Sequence, residues 1–382
     1  MSAMLPVAPD GAARLTEVMP SALAALSGAA NPLGFPAAAS VVVVLVDGLG
    51  SANLRARAGH ARTLSAAHGR RDVALTTFPS TTAAALASFT TGRMPGEHGL
   101  VGYRVLDAAH DRMVNQLSGW DAGMRPESWQ PVPTVFEEAR AAGVPVYAIG
   151  QGKYATSGFT RAVLRGAEYV AADAMEARVD AALERVSASP SLCYLYIPEL
   201  DQAAHKDGWE SDRWLARLEE ADRAIGELRR RMPRSTGLVV TADHGVVDVP
   251  EHRHVFLSGR PELRSGVRHV GGEPRCIALY LEPGLGPAER ERLLDGWREA
   301  EGSRAWVLSR AEAIDAGLYG PVVTPAAEER IGDILIAVRS GVAYYESPAV
   351  DPKAQAMIGQ HGSLSDEERR VPLIRLGAFA RG

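Results

Sequence analysis

The run VVVVLVDG, residues 41–48, decides the fold. A short β-branched stretch stopped by Gly48 reads as a strand buried on both faces, the pattern of a parallel sheet rather than the alternation of a half-exposed one. The same pattern recurs downstream. Residues 144–149 (VPVYAI) end at Gly150, 192–197 (LCYLYI) at Pro198, and 238–242 (LVVTA) at Asp243. Helical stretches over 133–142, 175–186 and 213–231 separate these runs. Strand and helix alternate, so an α/β fold is expected: a central, mostly parallel sheet with helices on both faces.

On the N-terminal side, residues 1–38 read as a helix and a loop, with Pro32, Gly34 and Pro36 as breakers. On the C-terminal side the pattern changes after Asp248. Strands over 276–281 and 305–308 and helices over 287–300 and 311–316 suggest a smaller α+β insert at 250–330. The run 333–338 (DILIAV) then reads as the chain returning to the main sheet. The expected division is a catalytic core of residues 1–249 and 331–382, with 250–330 as the insert. No internal repeat or low-complexity tract is present.

Composition narrows the function. The chain has 382 residues, 46% hydrophobic and 23% charged, with a formal net charge of −5. That is the profile of an ordinary globular protein without the basic surface needed to hold a nucleic-acid polymer. A site for an anionic substrate must therefore draw its positive charge locally, and bound metal is the obvious source. Both cysteines, Cys193 and Cys276, sit in apolar runs and read as buried reduced thiols. The first twenty residues lack a basic stretch followed by an apolar one, and no run approaches membrane-spanning length. A cytoplasmic protein with no membrane partner is expected.

In α/β sheets, ligands bind beyond the carboxyl ends of the strands. Asp47 follows the first strand, Asp201 and His205 follow the strand at 192–197, and Asp243 and His244 follow the strand at 238–242. His361 comes late, in Gly359-Gln360-His361-Gly362. Each alone has a plain structural reading: a helix N-cap for Asp47, one face of a surface helix for Asp201 and His205, a turn for Asp243-His244. Their co-occurrence at strand ends points to a metal site. Mixed imidazole and carboxylate ligation suits zinc, and also manganese or iron. The segment LTTFPSTTAAAL, residues 75–86, reads as strand, turn and Ala-rich helix, with hydroxyls at a helix N-terminus. Ser80 or Thr81 would cap that helix. A hydroxyl there also sits where backbone N–H groups bind phosphate oxygens, and metal would activate it as a nucleophile.

These motifs together (VVLVDGLG, FPSTTAAALASFTTGRMPGEHGLVGY, PELDQAAHKDG, TADHGVVD and GQHGSLSDEE) resemble the alkaline phosphatase superfamily, most closely its nucleotide pyrophosphatase/phosphodiesterase branch. The resemblance runs from Val41 to Leu373. It implies an alkaline-phosphatase-like fold and two metal ions, zinc foremost. One would be held by Asp201, His205 and His361, the other by Asp47, Asp243, His244 and the nucleophile. The branch's spacing puts that nucleophile at Thr82, with Thr81 as the adjacent candidate. It further implies hydrolysis of a small phosphate ester or nucleotide through a covalent phosphothreonine. Two departures bear on specificity. Tyr103 stands near where relatives carry an Asn that contacts a phosphate oxygen, so that its hydroxyl would donate the same bond as a substrate contact, and Ala83, Ala84 and Ala85 replace a proline-asparagine-histidine run. Lys153 reads either as a loop lysine or as a substrate contact. His98, His252, His254 and His269 read as structural or solvent-facing. Competing readings are a phosphomonoesterase or phosphonate (phosphonoacetate-like) hydrolase on the same site, and an inactive metal-binding scaffold. No Cys/Ser-x-Pro-x-Arg run follows the first strand, which argues against a sulfatase.

Overall fold

The computed structural model describes residues 4–6, 8, 9 and 11–381. Part of the expected N-terminal element, residues 1–3, 7 and 10, lies outside them; within them the N-terminal helix is Val18–Ser27. The central sheet has six strands in the order Ile374–Gly377, Thr236–Thr241, Ser40–Val46, Leu192–Ile197, Val146–Gly150 and Glu168–Ala171. All neighbouring pairs are parallel except the edge pair of Ile374–Gly377 with Thr236–Thr241. Every residue of Ser40–Val46 is buried, as the unbroken Val run requires. A fully buried aliphatic side chain contributes about 1.5–3 kcal/mol over an exposed one, so this strand anchors the core. One group of helices in mutual contact is Val18–Ser27, Thr82–Thr91 and Val135–Ala141. A second is Met175–Ala188, Asp212–Arg231 and Arg62–Ala67. No helix among the described residues is long and apolar enough to cross a membrane. Cys193 and Cys276 are buried free thiols.

The smaller unit is a four-stranded antiparallel sheet in the order Val267–Glu273, Cys276–Leu281, Ile334–Val338 and Ala305–Ser309. Here the sequence reading needs correction. The run 333–338 does not return to the main sheet; Ile334–Val338 lies inside the small one, so the expected boundary at 330 is too early. A five-residue apolar strand buried on both sides carries no mark of which sheet takes it. Gly359–Gln360 first pairs with Val247–Asp248 in a separate two-stranded sheet, and the return to the main sheet comes later, through the edge strand Ile374–Gly377. The small sheet also has its own core, with Trp297, Ile336 and Val338 at its centre.

A buried ion pair joins the two units. Arg275, in the turn between two small-sheet strands, donates Nε and Nη2 to the two Glu368 carboxylate oxygens at 2.8 and 2.7 Å. Its Nη1 reaches the carbonyls of Ser340 and Val342. Glu368 in turn accepts from the Ser363 amide at 3.0 Å, and its carbonyl accepts from the Gly245 amide at 2.8 Å. The two side chains are 1% and 0% exposed. Removing one partner strands the other charge, which costs far more than removing both. Glu368→Ala should therefore lower stability by about 3–5 kcal/mol. The Arg275→Met/Glu368→Leu double variant should lose much less. Denaturant unfolding of the three proteins checks this.

Candidate metal centre and active site

Three adjacent parallel strands deliver the site. Asp47 directly follows Ser40–Val46, and Asp243 and His244 follow Thr236–Thr241. Leu192–Ile197 feeds the helix Glu199–Asp207, whose one-turn spacing brings Asp201 and His205 to the same face. His361 comes just after Gly359–Gln360, beside the strand that follows His244. Thr82 opens the helix Thr82–Thr91. Gly48 lets these parts close together. Its φ is +73°, and a Cβ there would meet Asp201 Oδ1 at 2.9 Å and Asp201 Cα at 3.2 Å.

The histidines are oriented by the backbone. Nδ1 of His205 donates to the Gly359 carbonyl at 2.8 Å, Nδ1 of His361 to the Ser80 carbonyl at 2.9 Å, and Nδ1 of His244 to the Gly245 carbonyl at 3.2 Å. A carbonyl can only accept, so each Nδ1 carries a proton and each Nε2 is turned toward the site, the usual orientation of a metal-ligating imidazole. His244 Nε2 lies 3.4 Å from both Asp47 Oδ1 and Asp243 Oδ2. His205 Nε2 lies 3.1 Å from Asp201 Oδ2. The His244 and His361 rings stack at 3.5 Å, 12° from parallel, and His205 is 5.3 Å from His361. Two clusters have ligand atoms within 4.8 Å of one another: Asp47, Asp243 and His244; and Asp201, His244 and His361. His205 reaches the second through Asp201.

Negative charge outweighs positive charge in this geometry. Asp47 Oδ1, Asp201 Oδ1 and Asp243 Oδ2 are buried without a hydrogen-bond partner. Burial pushes the Asp47 carboxyl well above its usual range, and Asp243 and Asp201 push it further. Burial would raise Asp201 too, but the imidazole of His205 outweighs it and holds the carboxyl low. Burial alone would lower His205; Asp201 reverses this and brings it up to about 9. His361 is pushed well below the ordinary range by burial and by the stacked His244. Buried carboxylates need cations, and three unpartnered oxygens beside free imidazole Nε2 atoms are the donor set a divalent ion takes. The residues present fit such ions.

Thr82 Oγ1 is 3.2 Å from His244 Nε2. The expected side-chain cap of its helix is absent. Thr81 occupies the N-cap position but makes no capping bond, and Ser80 Oγ donates instead to the Ser363 carbonyl at 2.7 Å. The amides of Thr82, Ala83 and Ala84 thus remain free to donate into the site. Tyr103 is half-buried: its amide donates to Glu273 at 3.2 Å, and its carbonyl accepts from the Gln116 amide at 2.7 Å. Its hydroxyl makes no hydrogen bond among the described residues. Lys153 is exposed, with its ammonium 4.8 Å from the Tyr154 ring centre. Tyr154 meets Tyr196 edge-on at 6.1 Å, which places Lys153 two rings from Asp47. Of the remaining histidines, His98 is buried between the Ser88 hydroxyl and the Leu100 amide, and His269 pairs with Asp111. His252 is exposed, and His254 packs on Tyr345.

Sequence reasoning missed the supporting residues. The Tyr196 hydroxyl donates to Asp47 Oδ2, which leaves Oδ1 for the site. Buried Gln116 accepts from the Val101 and Gly102 amides and pins the loop before Tyr103. Neither belongs to a local motif; only the fold brings each to its partner. Tyr196→Phe should leave the fold intact yet weaken divalent-metal binding about 10–100-fold, the usual effect of losing a ligand's supporting hydrogen bond. Metal titration followed by calorimetry measures it.

Comparison with known proteins matches these features. Residues 41–364 fit the family described as type I phosphodiesterase / nucleotide pyrophosphatase. Among solved structures, murine ectonucleotide pyrophosphatase/phosphodiesterase 5 superposes with a TM-score of 0.69 at 18% identity, covering 88% of each chain. Phosphonoacetate hydrolase from Sinorhizobium meliloti 1021, solved with phosphonoformate, gives 0.68 at 21% identity, covering 89% of this chain and 91% of that one. The human ectonucleotide pyrophosphatase/phosphodiesterase 5 gives 0.66 at 16% identity, covering 90% of each chain. At these identities the structural likeness is one of fold. Comparison with curated protein sequences gives no match. The family match takes in every residue from Asp47 to His361 at the site, and the chain belongs to the type I phosphodiesterase / nucleotide pyrophosphatase family of phosphoric ester hydrolases.

Proposed function

We propose that the protein hydrolyses phosphodiesters or pyrophosphate-linked nucleotides on a two-metal site, with Thr82 as the nucleophile. One observation carries the reading: the unpartnered buried oxygens Asp47 Oδ1 and Asp243 Oδ2 each lie 3.4 Å from His244 Nε2, and Thr82 Oγ1 lies 3.2 Å from the same atom. Asp47, Asp243, His244 and Thr82 would hold one ion, and Asp201, His205 and His361 the other. Zinc suits the mixed ligands best, with manganese and iron as alternatives. Two such ions supply a lowered hydroxyl pKa at the nucleophile and charge stabilisation at the leaving oxygen.

The chain's own groups do the rest. Thr82 Oγ1 attacks phosphorus, a Thr82 O–P bond forms, and the ester P–O bond breaks with its electrons on the leaving oxygen. The free amides at the start of the Thr82–Thr91 helix donate to a non-bridging oxygen. Water then cleaves the Thr82 O–P bond and restores the hydroxyl, giving ping-pong kinetics. Support for threonine comes from a relative: an inactive murine variant with a threonine-to-alanine change was solved with AMP. Three carboxylates and an alkoxide roughly cancel two divalent charges, so a diester needs no further cation, whereas a monoester brings about one more negative charge.

Lys153 favours a second reading. Its ammonium pairs with no carboxylate among the described residues and stands beside the Tyr154–Tyr196 rings that lead to Asp47. A cation there would suit a phosphomonoester, or a phosphonate with a carboxylate, on the same metals.

Thr82→Ala should lose nearly all turnover while keeping its metal, and Thr82→Ser should retain part of it. A dead Thr81→Ala beside an active Thr82→Ala would move the nucleophile by one residue. Elemental analysis should find about two divalent ions per chain, with His205→Ala and His361→Ala each losing the same one. Activity that survives exhaustive chelation would end the two-metal reading. Substrate class is decided by a chromogenic diester, a chromogenic monoester and phosphonoacetate assayed side by side. The diester is expected to have the highest kcat/KM, in wild type and in Lys153→Ala alike. A monoester or phosphonate preference that Lys153→Ala abolishes selects the second reading.

A further inference from the structure

Glu273 ends the small-sheet strand Val267–Glu273 and is only 6% exposed. Its Oε2 accepts the Tyr103 amide at 3.2 Å, while Oε1 is buried with no partner. Its stem lies against Gly362, the residue after His361. A Cβ on Gly362, whose φ is +130°, would come within 2.3 Å of Glu273 Cγ and 2.8 Å of Oε1. The neighbouring Arg275 is fully engaged by Glu368 and two carbonyls. Burial pushes the carboxyl well above its usual range. A buried acid with one idle oxygen is costly to keep for stability alone.

We infer that Glu273 is the positioning residue of the Tyr103 loop: wedged between the Tyr103 amide and the Gly362 backbone, it lets the small sheet set one edge of the phosphate-binding site. The inference rests on reading Tyr103 as a donor to a phosphate oxygen. The strand ends of the main sheet and the elements that follow them supply the proposed ligands and Thr82, while the position of Tyr103 is carried by this side chain and by Gln116. Glu273 touches no substrate; it acts through Tyr103.

The test is inorganic phosphate binding to the metal-loaded protein, measured by calorimetry, so it does not depend on which ester is turned over. Tyr103→Phe and Glu273→Leu should each weaken phosphate about tenfold, the scale of one hydrogen bond to a charged acceptor. Their double variant should be no weaker than either single one. Glu273→Gln keeps the acceptor for the Tyr103 amide and mimics the neutral acid, so it should bind within about threefold of wild type, the effect of a weak neutral hydrogen bond. Metal content should stay unchanged throughout. Additive losses, wild-type affinity in Glu273→Leu, a Gln variant as impaired as the Leu variant, or metal lost with Glu273→Leu would each overturn the inference. A dead diester assay beside this binding pattern would instead overturn the proposed substrate class and leave the positioning role standing.

Discussion

Buried carboxylates that face one another cannot be held together without positive charge between them. Asp47, Asp201 and Asp243 are in that position, each with an oxygen that no hydrogen bond among the described residues satisfies. Much of the surrounding structure serves to keep them there. The parallel strands end in register at one place, the Gly48 turn lets the Asp201 helix close on Asp47, and three backbone carbonyls fix the histidine rings with Nε2 inward. A protein that kept this arrangement for stability alone would bear a large desolvation cost with no return. The cost becomes useful once divalent ions enter, because a rigid preformed cage loses little on binding them.

The two sheets divide the work. The parallel sheet, with Ser40–Val46 buried along its whole length, is the stiff element that sets ligand distances. The antiparallel sheet touches the centre through side contacts: the Arg275–Glu368 pair, which ends next to Gly245 and Ser363, and Glu273 beside Gly362 and Tyr103. Ligand geometry and the outer edge of the site can therefore vary separately. Sequence changes in the small sheet would alter what is bound while leaving the metal cage intact.

Much of this was legible in the sequence, for identifiable reasons. Continuous β-branched runs stopped by Gly, Pro or Asp mark buried parallel strands, and Asp or His at such stops marks a candidate ligand set, so Asp47, Asp243 and His244 stood out. The Asp201 and His205 pair was visible from helical spacing. The destination of Ile334–Val338 was not, since its apolar pattern serves either sheet equally. The edge strand Ile374–Gly377 and the strand Glu168–Ala171 are short and only partly apolar, and were not expected. Tyr196, Gln116 and Glu273 were invisible for another reason. Each matters through one hydrogen bond to a residue outside its own local motif, and no periodicity records such a partner.

The proposed ligands are also spread along the sequence, from Asp47 to His361. On a ribosome adding about 5–20 residues per second, the last ligand is made about 15–60 s after the first. During that interval the early strands can pair and the first carboxylates can gather, but the cage lacks a wall. The edge strand Ile374–Gly377, which lies beyond His361, clamps the Thr236–Thr241 strand from outside. Completion of the cage thus waits on His361. A nascent chain that stops short of that residue holds at most a partial set of donors, so full loading of the proposed metals would report that synthesis has passed it.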